Sequence, residues 1–256
     1  MRILAVGDVT GESGLEFIRS NLKYLKQDEN IDFCIVNGEN AAVRNGITPK
    51  EYEVLIQCGA DVVTLGNHTF DRGEIKKVLT NSDIIRPANY PEGTDGSGST
   101  VISVGNKRIG IINLLGNVNS FRVDCPFKTA DMEIEKLKDK CDMIFVDFHA
   151  EATSEKLALA FYLDGRVTGI FGTHTHVQTA DERIMPRGTG YITDLGMTGV
   201  VNSVLGVDKD IIIERFRTSM PVKFQPAYGS SMMCGVIFET DDDTDKCKFV
   251  KRVRIE

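Results

Sequence analysis

Short apolar bursts that run straight into glycine and polar side chains recur along the chain, and this pattern most constrains what it can fold into. "RILAV" ends in Gly7-Asp8, "FCIV" in Asn37-Gly38-Glu39-Asn40, and "DVVTL" in Gly66-Asn67-His68. Between the bursts lie segments with helical period. "SGLEFIRSNLKYLK" sets Leu15, Ile18, Leu22 and Leu25 on one face, and "TPKEYEVLIQCG" has a Thr48-x-x-Glu51 capping box, Pro49 at the first helical position and Gly59 as a stop. Strand followed by helix, repeated, predicts a parallel sheet covered on both faces.

The middle of the chain changes character. "GTDGSGS" is a flexible loop, and "STVISVGNKRIGIINLL" reads as a β-hairpin turning at Gly105-Asn106. Alternation then resumes with a buried strand in "CDMIFVDFHAE", a helix in "TSEKLALAFYLDG" and a strand in "VTGIFGTHTH". The last segment, "SMMCGVIFETDDDTDKCKFVKRVRI", predicts two long strands joined by an acidic turn, with Met232 and Met233 in the core. Mixed strands with helices outside predict a four-layer α/β/β/α sandwich, two mixed sheets flanked by helices. All 256 residues, 1–256, are expected to form a single domain. In such folds ligands gather at the carboxyl ends of the strands.

Charge narrows the function classes. Thirty Lys and Arg against 37 Asp and Glu leave a net charge of −7, the wrong sign for non-specific binding to DNA or to an anionic membrane. Phosphate chemistry here needs a local device. No apolar run approaches the ~20 residues that span a bilayer, and the opening "MRILAVGDVTG" carries no leader pattern, so a cytoplasmic location is expected. The six cysteines include no CxxC arrangement and are expected to be free thiols, Cys34 and Cys234 within strands.

All four histidines, His68, His149, His174 and His176, fall within a few residues of the end of a predicted buried strand. Asp8, Glu39, Asn40 and Asn67 follow apolar runs in the same way. Five strands would thus bring carboxylates, amides and imidazoles to one rim. Taken singly, an Asp after a strand is a turn residue or cap, and a lone histidine is more often structural than a ligand. Taken together, hard oxygens mixed with imidazoles are what a first-row divalent metal prefers, and no thiolate is placed to make a structural zinc site. Gly7-x-x-x-Gly11 is no dinucleotide fingerprint, and "DDDTD" lacks the spacing, glycine and terminal Glu of an EF-hand.

With these residues in view, the chain resembles the calcineurin-like metallophosphoesterases. More closely, "GDVTGESG", "NGENAA", "TLGNHTFD", "FHAE" and "GTHTHVQTAD" resemble the YmdB-like family of bacterial phosphodiesterases, over essentially the whole chain. Two departures from the broader superfamily are shared with that family. Val9-Thr10 stands where a His ligand usually follows the Asp, and Glu39 stands where Asp is usual, with Asn40 beside it. The resemblance implies that Asp8, Glu39, Asn40 and His176 hold one metal ion and Glu39, Asn67, His149 and His174 a second, Glu39 bridging. On a regular strand, side chains at i and i+2 point the same way about 6–7 Å apart, so Thr173–His176 is expected to hand one imidazole to each of two ions.

The resemblance further implies attack by a hydroxide between the ions, with His68 as the general acid on the leaving group. Iron ranks first among the metals, then manganese, with zinc left open; divalent and mixed-valence pairs both fit seven nitrogen and oxygen ligands. The implied substrates are small phosphodiesters, 2′,3′-cyclic nucleotides or an RNA end among them. Two alternatives stand beside this reading. One is a phosphomonoesterase or nucleotidase on the same metals, and the other a regulatory, RNA-associated binding protein with a non-catalytic metal site. The largely uncharged "LGMTGVVNSVLGV" is expected either to line the site or to meet a neighbouring copy in a homo-oligomer.

Overall fold

The computed structural model describes residues 1–43, 45–118 and 122–256. In chain order, β1 (Arg2–Val6) and β2 (Asp8–Val9) lead into α1 (Gly11–Asp28), β3 (Phe33–Asn37), α2 (Pro49–Gln57), β4 (Val62–Thr64) and β5 (Ile84–Ile85). The hairpin β6 (Ser99–Val104) and β7 (Lys107–Leu115) is followed by α3 (Pro126–Leu137), β8 (Met143–His149), α4 (Thr153–Leu163) and β9 (Gly169–Thr173). Then come β10 (Arg183–Ile184), β11 (Gly190–Ile192), β12 (Met197–Val200), α5 (Lys209–Thr218), β13 (Ser231–Thr240) and β14 (Cys247–Ile255).

The strands form an eight-stranded sheet in the order β2-β12-β13-β1-β3-β4-β5, with β14 also paired to β13, and a six-stranded sheet in the order β10-β11-β9-β8-β7-β6. Both are mixed. β1, β3, β4 and β5 run parallel while β13 runs against β1; β7, β8, β9 and β11 run parallel while β6 and β10 are antiparallel to their neighbours.

Three apolar clusters define the layers. Leu15, Ile18 and Leu22 of α1 and Leu55 of α2 pack on Leu4, Val6, Cys34 and Val36. Ala130 and Leu137 of α3 and Leu159 and Leu163 of α4 pack on Ile144, Val146 and Phe148. Between the sheets lie Ile3, Ala5, Phe33, Ile35, Phe145 and Phe171. The result is the expected α/β/β/α sandwich. The local signals hold as well: Thr48 and Glu51 form the capping box of α2, β6 and β7 make the hairpin, and all six cysteines are free. No helix among the described residues is long and apolar enough to cross a membrane.

Strand alternation positions the site. Side chains on a strand face opposite sides in turn, so every second residue meets the other sheet. On β3 those are Phe33 and Ile35, on β8 Met143 and Phe145, on β4 Val62 and on β9 Phe171. Counting on by two gives Asn37, Asp147, Thr64 and Thr173, all buried, and another step gives Glu39, His149 and Gly66. The inter-sheet core thus turns polar towards the carboxyl ends of its strands.

One local expectation is corrected. β9 ends at Thr173, so His174 and His176 do not stand at i and i+2 of a regular strand. Both have positive φ, 100° and 64°, in a turn that aims the two rings separately.

Candidate metal centre

The inner polar layer is a closed hydrogen-bond network around Asp147. Its Oδ2 accepts from Asn37 Nδ2 at 3.0 Å and from Thr64 Oγ1 at 2.5 Å, and its Oδ1 accepts from Thr173 Oγ1 at 2.7 Å. Burial pushes the Asp147 carboxyl up to about 7. Thr173 Oγ1 also lies 2.9 Å from His149 Nδ1. The Thr173 hydroxyl donates its one proton to Asp147, so its oxygen is left to accept from His149 Nδ1–H. This leaves the lone pair of His149 on Nε2, facing outwards.

That nitrogen lies 2.9 Å from Glu39 Oε1, 3.1 Å from Asn67 Oδ1 and 3.1 Å from His174 Nδ1. Burial drives His149 down to about 4 and His174 down to about 3, so both rings are neutral near pH 7. Glu39, His149 and His174 bring ligand atoms within 4.8 Å of one another. A second group adjoins them. Asp8 Oδ1 lies 3.7 Å from His176 Nε2, which is 3.3 Å from Asn40 Nδ2, while Asp8 Oδ2 accepts the backbone N–H of His174 at 3.1 Å.

These residues fit a metal. Among the described residues, Asp8 Oδ1 and both Glu39 carboxylate oxygens are buried without a hydrogen-bond partner, a costly state for groups that could ionise. Burial raises the pKa of Asp8 and pushes Glu39 up to about 7. Lone pairs of two neutral imidazoles and an amide face these oxygens. A cation among them removes the conflict, and the donor set, nitrogen and oxygen without sulfur, suits a divalent first-row ion. Space is kept for it at Gly66, where a Cβ would lie 2.1 Å from Glu39 Oε2 and 2.4 Å from His149 Nε2.

His68 stands slightly apart. Its Nδ1 is 2.8 Å from Asp71 Oδ2, and its Nε2 is 3.3 Å from Asn45 Nδ2. Asp71 therefore fixes the orientation of the ring and turns Nε2 towards Asn45. Asn45, Asp71, Asp147, Thr173 and Glu151, whose Oε2 is 3.0 Å from His174 Nε2, were not singled out from sequence.

Neither was the support under the histidine turn. Lys156 Nζ in α4 is fully buried and donates to Thr173 O at 2.8 Å and to Asp194 Oδ2 at 2.7 Å. The Asp194 carboxylate also accepts from Thr175 N at 3.1 Å and Gly196 N at 2.8 Å. One readable signal existed for the lysine: it falls on the same stripe of α4 as Leu159, Ala160 and Leu163. "LGMTGVVNSVLGV" lines the site, since Met197 and Thr198 pair with Asp8 and Val9, and Leu205 O accepts from His176 Nδ1 at 3.2 Å.

A four-layer sandwich with such a donor set at the carboxyl ends of its strands defines the class, the calcineurin-like metallophosphoesterase fold. A putative 5′-nucleotidase from Staphylococcus aureus shares it with a TM-score of 0.61, covering 99% of this chain and 54% of that one; at 14% identity the likeness is one of fold alone. Within the class, the chain belongs to the family described as YmdB-like protein, which matches residues 4–253. A Bacillus subtilis protein named 2′,3′-cyclic-nucleotide 2′-phosphodiesterase is 48% identical over 256 residues, covering 100% of this chain and 97% of that protein. A putative phosphatase/phosphodiesterase of Mycoplasma pneumoniae is 39% identical over 265 residues, covering 100% and 93%. Among solved structures, a hypothetical protein of Thermus thermophilus superposes with a TM-score of 0.94 at 37% identity, covering 100% and 99%.

Proposed function

We propose that this chain is a phosphodiesterase that works with two metal ions and hydrolyses 2′,3′-cyclic nucleotides. The observation that carries the reading is the set of three buried carboxylate oxygens of Asp8 and Glu39, unpartnered among the described residues and facing imidazole nitrogens. The name of the Bacillus subtilis relative supports the substrate class.

Asp8, Asn40 and His176 would hold one ion and Asn67, His149 and His174 the other, with Glu39 available to both. Two such ions would supply nucleophile activation and offset charge on the phosphate oxygens. Iron is our first assignment, manganese the second, and zinc stays open on the same donor set. The chain's own residues do the rest. Thr173 and Asp147 hold the His149 tautomer, and the N–H of His174 holds Asp8. Water adds to phosphorus and releases a proton to solvent, the P–O2′ bond breaks, and the departing ribose oxygen takes a proton from His68 Nε2, which is reprotonated from solvent, while Asp71 steadies the ring; the product is a nucleoside 3′-phosphate.

We further read 1–256 as a single domain acting in the cytoplasm, in keeping with its free cysteines. The exposed Phe216 and Met220 suit a homo-oligomer.

Metal analysis together with rates for wild type, His68→Ala and His149→Ala tests the assignment. His68→Ala is expected to keep both ions and lose more rate on a 2′,3′-cyclic nucleotide than on bis(p-nitrophenyl) phosphate, whose leaving group departs without help. His149→Ala is expected to lose metal and both activities. Metal loss in His68→Ala, or equal impairment on the two substrates, removes its role as general acid. Wild-type protein that cleaves only monoesters would move the reading to a phosphatase.

A further inference from the structure

A cavity of about 450 Å³ opens beside the donors. Asn40, Asn45 and His176 line it and also face the metal centre or His68. A substrate with its phosphorus at the centre therefore has this cavity as its neighbouring space.

The wall is unlike the polar rim. Its roof is the excursion 201–230 between β12 and β13, tied together by Ala227 N donating to Gly206 O at 2.9 Å and Asp208 N to Gln225 O at 3.0 Å. Gly206, at φ 92°, packs so closely on Thr10, the residue before α1, that a Cβ would lie 2.3 Å from Thr10 Cγ2. The roof presents Phe224, with the Arg215 guanidinium carbon 4.8 Å from its ring centroid, and Tyr228, 81% exposed. Among the described residues Arg215 has no carboxylate in ion-pair range, so its donors remain available to a ligand.

From this geometry we propose that the cavity is a nucleoside subsite in which the base stacks on the Phe224 and Tyr228 wall. The inference rests on the phosphodiesterase reading and adds where the rest of the substrate lies. Pockets that enclose small ligands run from about 300 to 1,000 Å³, so a base with its ribose fits. An aromatic ring with a free face accepts any base, and a stacked guanidinium adds a cation–π contact and donors for oxygens at the base edge. The same chemistry serves a free nucleotide and the last nucleotide of an RNA strand.

Calorimetric titration of the metal-loaded protein with adenosine 3′-phosphate, an RNA ending in a 3′-phosphate, and inorganic phosphate tests the subsite. Phe224→Ala is expected to weaken adenosine 3′-phosphate or RNA-end binding about 5- to 150-fold and to leave inorganic phosphate unaffected. The ligand with the larger loss identifies the source of the nucleoside. On 2′,3′-cyclic AMP the loss is expected in KM with kcat retained. Equal weakening for phosphate and nucleotide, or none for either nucleotide ligand, overturns the subsite. Failure of the underlying reading looks different: wild type then hydrolyses neither 2′,3′-cyclic AMP nor bis(p-nitrophenyl) phosphate, while the titrations still decide the subsite.

Discussion

Replacing Lys156 by Met should be among the most damaging single changes outside the proposed ligands. The stem keeps its length, so little packing volume is lost. What disappears is one half of an ion pair in which both side chains are 1% exposed, with Nζ 2.7 Å from Asp194 Oδ2. Asp194 is then left with the N–H groups of Thr175 and Gly196, and Thr173 O loses a donor. Removing one partner of a buried pair costs about 3–5 kcal/mol, because the remaining charge stays desolvated and uncompensated. For a chain of this size, about 2–4 °C per kcal/mol converts this to a fall of about 6–20 °C in Tm. Scanning calorimetry of the metal-free protein reads it directly. The charge argument has its own control, since Lys156→Met with Asp194→Asn removes the stranded charge while keeping an acceptor oxygen. That double variant should regain part of the lost stability. A loss below about 1 kcal/mol, the scale of an exposed pair, or a double variant no more stable than Lys156→Met, refutes the reasoning.

Thr173→Val keeps the shape but breaks the link from His149 Nδ1 through Thr173 to Asp147; metal affinity measured against a chelator should fall about 10- to 100-fold, and an unchanged affinity would exclude control of the tautomer by this hydroxyl. Gly66→Ala puts a Cβ 2.1 Å from Glu39 Oε2 and should cost about 1–3 kcal/mol and one metal ion per chain; elemental analysis finding full occupancy would contradict the close approach. The third concerns pH. Asp147 titrates at about 7 when folded against 3.8 as a free carboxyl, so the folded state holds this proton more tightly and stability falls as pH rises through that window. Asp147→Asn escapes that loss, and in the metal-free protein its Tm relative to wild type should improve by the equivalent of a few kcal/mol between about pH 5 and about pH 8. A constant difference between the two proteins across that range would assign Asp147 an ordinary pKa.

The proposed donors were readable because each has a local mark, a polar side chain immediately after an apolar strand. The residues that hold them have a fainter one. Asn37 precedes Glu39 by two positions, Asp147 precedes His149 by two, and Thr64 precedes Gly66 by two. Alternation puts each pair on one face of its strand, so the supporting layer lies one step below the donors. Within "FCIVN", "VVT" and "MIFVDFH" these residues read as blemishes in apolar runs, and only the meeting of four strands from two sheets around one carboxylate gives them a joint role. The histidine turn shows the opposite limit. Its residues were legible and its geometry was not, because a strand would have held the two rings parallel, whereas positive φ at His174 and His176 sends one towards His149 and the other towards Asn40. Such a turn is held by contacts distant in sequence, and here the buried Lys156–Asp194 pair supplies them from beneath. A polar pair inside the core is therefore explained by the backbone it fixes: Thr173 O and Thr175 N, on either side of His174, are both tied to it.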